Sequence, residues 1–114
     1  MTKTAVDLVE EAKKTIKEVN IDEANEMIAN GSIALDIREG AEWDAGHIPN
    51  AHHIPRGVLE FKITDDPNFQ DRDASIVIYC RSGGRSALAA KSLESLGYNN
   101  VCSMAGGYIA WSGE

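Results

Sequence analysis

Residues 76–86 read IVIYCRSGGRS, and no other stretch restricts the fold of this chain so tightly. Ile76, Val77, Ile78 and Tyr79 are β-branched or aromatic and run directly into Cys80. Gly83 and Gly84 follow, then Arg85, Ser86 and a helical pattern. This is the order of a buried strand, a tight loop and a helix start. A loop of that kind aims several backbone N–H groups at one spot, where the helix dipole adds partial positive charge. Cys80 heads the loop, with Arg81 and Arg85 close in sequence, so thiolate is favoured over thiol and an anionic ligand is favoured beside it. A cysteine at a strand end is ordinarily a core residue. The glycine pair and the two arginines move the reading to a reactive one.

The rest of the chain supplies a frame for that unit. Residues 4 to about 17 place Ala5, Leu8, Val9, Ala12 and Ile16 on one helical face and charged residues on the other, so an amphipathic helix should pack on the domain. Asn20 and Glu23 have capping-box spacing for a short helix that ends at Gly31. Residues 32–37 then read as a buried strand with Asp36 near its end. A helical turn at residues 41–45 leads into an irregular segment punctuated by Gly46, Pro49, Pro55 and Gly57. Val58, Leu59, Phe61 and Ile63 suit one short helix, and residues 64–73 read as a polar loop. After the cysteine loop, residues 85–96 suit a helix with Ala89, Leu93 and Leu96 inward, residues 100–104 a last strand, and Gly106-Gly107 a turn before a closing helix. Strands alternating with helices give an α/β domain with a mostly parallel sheet. Chemistry in such sheets belongs at the carboxyl ends of strands, where Asp36 and Cys80 both fall.

The 114 residues suffice for one domain with a single core. A net charge of −7 argues against nucleic acid or an anionic membrane as partner, and it requires any anion site to concentrate its positive charge locally. No apolar run approaches membrane-spanning length, and the N-terminus lacks a continuous apolar segment of the secretory kind. Two cysteines and no such signal fit free thiols in a reducing cytoplasm.

Four ordered motifs carry a resemblance. They are LDIRE at 35–39, EWDAGHIPNAHHIP at 42–55, YCRSGGRSALAA at 79–90 and MAGGYIAW at 104–111. Together they resemble the single-domain rhodaneses, thiosulfate sulfurtransferase-like domains, over about residues 19–113. The resemblance implies a rhodanese-like fold with a five-stranded sheet flanked by helices. It divides the chain into an N-terminal helix, residues 1–18, and a rhodanese domain, residues 19–114. It also implies that Cys80 is the catalytic residue and cycles through a persulfide.

The expected reaction moves a sulfane sulfur from thiosulfate or a similar donor to cyanide, a small thiol or a protein thiol, with no metal and no cofactor. Arg81, Ser82, Gly83, Gly84, Arg85 and Ser86 are expected to hold the donor and the terminal sulfur. Arg38 is a further donor-binding candidate, with an ion pair to Glu39 or Glu42 as its structural alternative. Asp36 is expected to orient the site by accepting loop hydrogen bonds. His47 should brace backbone, His52 and His53 lack metal spacing, Cys102 should be core, and Trp43 and Trp111 should pack. Two other functions compete. Cysteine phosphatases and arsenate reductases place five residues between cysteine and arginine, whereas four stand between Cys80 and Arg85. Non-catalytic rhodanese-like binding modules typically lose the cysteine, which this chain keeps.

Overall fold

The computed structural model describes residues 2–113. Five parallel strands are β1 (Glu18–Val19), β2 (Ile33–Asp36), β3 (His52–His53), β4 (Ile76–Tyr79) and β5 (Val101–Met104), in the spatial order β1-β5-β4-β2-β3. The helices are α1 (Ala5–Lys13), α2 (Ile21–Ala29), α3 (Gly40–Ala45), α4 (Leu59–Ile63), α5 (Gly84–Ser95) and α6 (Gly107–Ser112).

β4 is the central strand, and all four of its residues are fully buried. A strand covered on both faces reads as a continuous apolar run, which is why Ile76–Tyr79 shows no polar alternation. Burying an aliphatic side chain that completely contributes about 1.5–3 kcal/mol each. Side chains still alternate between the faces. Ile76, Ile78 and Cys80 join Leu35, Leu59, Ile63, Ala89 and Leu93 on the side of α4 and α5. Val77 and Tyr79 join Val19, Ala24, Cys102 and Met104 on the side of α2 and α6. The period of two therefore delivers the Cys80 side chain to the α5 face.

Capping chemistry starts the first two helices. Asn20 and Glu23 form the expected reciprocal box, and Thr4 with Asp7 forms a second one at α1. α1 ends at Lys13, shorter than the span of 4–17, because Thr15 and Ile16 donate back to the Ala12 carbonyl and the chain turns toward β1. α1 packs on α5 through the buried Ala12 and half-buried Val9, while Val6 and Leu8 stay exposed. The point between residues 18 and 19 falls inside β1, which pairs with β5. Residues 64–73 are not wholly polar loop: residues 67–69 form a 3₁₀ turn that buries Phe69 completely. No described helix is long and apolar enough to cross a membrane.

Candidate active site

Cys80 stands one residue beyond β4 and is 1% exposed. The loop after it turns back at Gly83, whose φ of +107° lies in the left-handed region that glycine enters at least cost. That turn brings two backbone donors to the sulfur, Gly83 N–H at 3.1 Å and Ser86 N–H at 3.3 Å. The Ser86 hydroxyl oxygen lies 3.5 Å from Cys80 Sγ. α5 has no side-chain cap of its own, so its first turn aims N–H groups at the cysteine. Among the described residues, the N–H groups of Arg81, Ser82, Gly84 and Arg85 have no protein acceptor.

A second helix holds the loop from behind. Tyr108 N–H donates to the Cys80 carbonyl at 2.8 Å, and Ile109 N–H donates to the Arg81 carbonyl at 3.1 Å. The approach requires glycine at 107: its φ is +61°, and a Cβ there would lie 2.6 Å from the Cys80 carbonyl oxygen and closer still to that of Arg81. The Gly-Gly of the fourth motif is thus the contact that lets α6 clamp the cysteine loop.

Beside the loop opens a cavity of about 350 Å³. Ala41 and Ala45 of α3 and Tyr108 and Ile109 of α6 give it apolar walls, with Arg38, Glu42 and Arg81 supplying charge. The three arginines singled out from the sequence are in different states. Arg38 is buried against Asp36, with Nε 3.0 Å from both carboxylate oxygens and Nη2 2.7 Å from Oδ2. Its Nη2 also donates to the Gly46 carbonyl at 2.7 Å, and its guanidinium lies 4.3 Å from the Tyr108 ring centroid. The ion-pair partner is therefore Asp36 rather than Glu39 or Glu42. Asp36 in turn accepts from Arg38, including its backbone N–H at 2.9 Å, and has no hydrogen bond to the cysteine loop. Removing one member of so buried a pair typically costs about 3–5 kcal/mol, because the other charge is left alone.

Arg85 forks onto Glu42, Nη1 to Oε1 at 2.9 Å and Nη2 to Oε2 at 3.0 Å. The Arg85 hydrogen bonds hold the Glu42 carboxyl down at about 2 against the opposing effect of burial, and the Glu39 backbone N–H adds to the lowering. The same fork raises Arg85. Arg81 is exposed and has no ion-pair partner among the described residues. Local positive charge thus resides in Arg81 and the loop amides.

The remaining expectations fall away from the sulfur. His47 Nδ1 lies 2.9 Å from the Trp43 carbonyl oxygen, and the two rings stack with centroids 3.4 Å apart. His53 Nε2 lies 2.7 Å from the Arg38 carbonyl oxygen and braces that turn. Cys102 is buried, and burial pushes its thiol up to about 11. Sequence reasoning missed Glu42 as the partner of Arg85, Tyr108 as the platform under Arg38, and Gly107 as the clamp. The fourth motif, with its paired glycines before an aromatic residue, was the one signal for the last two.

This arrangement defines an α/β domain with a buried cysteine at a strand end, met by the N–H groups of the loop and helix that follow. The family profile for the rhodanese-like domain matches residues 20–114, and the chain belongs to that family. A sulfurtransferase of Allochromatium vinosum is 35% identical over 99 residues, covering 85% of this chain and 89% of the relative. The human single-domain sulfurtransferase TSTD1 superposes with a TM-score of 0.77 at 30% identity, covering 85% of this chain and 96% of that one. A protein of unknown function from Rhodopseudomonas palustris, described as a possible tyrosine phosphatase, superposes with a TM-score of 0.91 at 33% identity. That match covers 99% of this chain and 92% of the other.

Proposed function

We propose that this chain is a sulfurtransferase that carries a sulfane sulfur on Cys80, taking it from thiosulfate or a similar donor. The observation that supports this most strongly is the convergence of the Gly83 and Ser86 N–H groups on Cys80 Sγ at the start of α5. In the first half-reaction the Cys80 thiolate attacks the outer sulfur of the donor. A new S–S bond forms, the donor's own S–S bond breaks, and sulfite departs with the electron pair. In the second, cyanide or a thiolate attacks the terminal sulfur of the Cys80 persulfide and leaves with it, which restores the Cys80 thiolate. In this reading the unengaged N–H groups of Arg81, Ser82, Gly84 and Arg85 stabilise the terminal sulfur's charge. Arg81 faces the cavity and is free to meet the oxyanion end of a donor. A reducing cytoplasm suits two free cysteines.

The resemblance to a possible tyrosine phosphatase brings a second reading, a cysteine-dependent phosphatase. Its transition state needs an arginine fork on two equatorial oxygens. Arg85 is engaged by Glu42 in both of its terminal nitrogens, and only four residues separate it from Cys80. Both features favour sulfur over phosphate. The deciding experiment measures turnover on thiosulfate with cyanide and on an aryl phosphate, with intact mass after thiosulfate alone. Sulfur transfer and a mass gain of one sulfur on Cys80 are expected. Phosphatase turnover without either would overturn the proposal.

A further inference from the structure

The buried polar residues offer one pair that the reaction above does not use. Ser103 lies within β5 and is fully buried. Its hydroxyl oxygen is 2.7 Å from that of Ser86, which is also fully buried and which lies 3.5 Å from Cys80 Sγ. Three groups therefore line up from the sheet to the sulfur.

The direction of the line follows from hydrogen-bond satisfaction. Among the described residues, the Ser103 hydroxyl has no partner but Ser86. If Ser86 donated to Ser103, the Ser103 proton would be buried without an acceptor, an arrangement that buried hydroxyls avoid. So Ser103 donates and Ser86 accepts. The Ser86 proton is then left with one acceptor in reach, Cys80 Sγ. Every hydroxyl proton finds an acceptor when the sulfur is a thiolate. With a protonated sulfur, the Cys80 S–H donates to the Ser86 oxygen, which already accepts from Ser103, and the Ser86 proton is left without an acceptor.

We infer that Ser103 is a positioning residue for Cys80: by donating to Ser86, it commits the Ser86 hydroxyl to the cysteine sulfur and so favours the thiolate. A third donor then joins the two backbone N–H groups. This inference rests on Cys80 being the reacting thiol of the proposed sulfurtransferase. Its effect is carried by Ser86, so the contributions of the two serines are not independent.

The test follows alkylation of Cys80 by a neutral reagent against pH, with peptide mapping to confirm the site. No sulfur donor enters, so failure here and failure of sulfur transfer are separate results. Ser86→Ala should raise the midpoint by about one pH unit, in line with a hydrogen bond to a charged group. Ser103→Ala should raise it by roughly half a unit, and the double variant should match Ser86→Ala alone. Ser103→Thr keeps the hydroxyl and should hold the wild-type midpoint. The ionisable groups around the loop are Arg81, Arg85, Glu42, Asp36, Arg38 and Tyr108, while Cys102 lies on the other face of the sheet; all stay in place in these variants. A Ser103→Ala midpoint that is unchanged or lowered would overturn the inference. So would a Ser103→Ala shift that persists in full when Ser86 is already alanine, or a Ser103→Thr shift as large as that of alanine.

Discussion

Cys80 and Cys102 come from neighbouring parallel strands, and each is 1% exposed. Burial does not distinguish them. Their partners do. Cys102 sits within β5 among Val77, Tyr79 and Met104, and its sulfur approaches the Ile76 carbonyl at 3.7 Å, a contact with an acceptor. Cys80 lies past the end of its strand and is met by two N–H donors at the start of a helix. The backbone thus presents an acceptor to one sulfur and two donors to the other, although the two side chains are equally buried. In the proposed sulfurtransferase, what sets the reacting cysteine apart is which backbone ends face it, and not access to solvent.

Exchanging the two positions gives the largest effect. Cys80→Ser should abolish both sulfur transfer and the mass gain with thiosulfate, while Cys102→Ser should keep most activity. Sulfur mapped to Cys102 in the Cys80→Ser protein would erase the distinction. Next comes the clamp, which touches only the Cys80 side. Gly107→Ala forces a side chain into the Cys80 and Arg81 carbonyls at a left-handed φ. It should cost roughly 2–4 kcal/mol by denaturation and about 100-fold in sulfur transfer through a displaced loop. Gly113→Ala has a similar φ of +80° but open space around it, and should cost only about 1 kcal/mol with activity retained. Equal losses in both variants would show that helix strain, and not the loop contact, is responsible.

The smallest effect belongs to Cys102. Its thiol is raised from 9.0 to about 11 by burial, so its neutral form is favoured in the fold. The associated stability is fully present below pH 9 and is lost as pH rises toward 11. Denaturation midpoints between pH 8 and 11 should therefore fall more steeply in the wild type than in Cys102→Ser. Parallel curves would mean that Cys102 does not titrate differently in the fold.

What the sequence disclosed follows the reach of each interaction. β4 runs over Ile76–Tyr79 as its apolar run indicated, and the Asn20–Glu23 box lies where its spacing placed it. These are local patterns, with partners three or fewer residues apart or a run of one kind. β1 and β3 have two residues each, too few for any period, and five strands were foreseen only through the family resemblance. Phe69 was lost in a polar stretch because one buried aromatic in a turn leaves no pattern. At the site, Cys80 and its loop were legible because one continuous segment forms them. The Glu42 partner of Arg85 is 43 residues distant, and Ser103 is 17 from Ser86, so nothing in local spacing could pair them.

The start of α5 carries one more consequence. α1 and α2 each begin under an oxygen, from Thr4 and from Asn20, that receives the amide three positions into the helix. α5 begins at a glycine, and the corresponding amide, that of Ser86, goes to a sulfur six residues upstream. The sulfur of Cys80 thereby takes the place that a capping oxygen holds in the other two helices. Oxidising or alkylating that sulfur should therefore loosen the first turn of α5, an effect to be read in the exchange rate of the Ser86 amide proton.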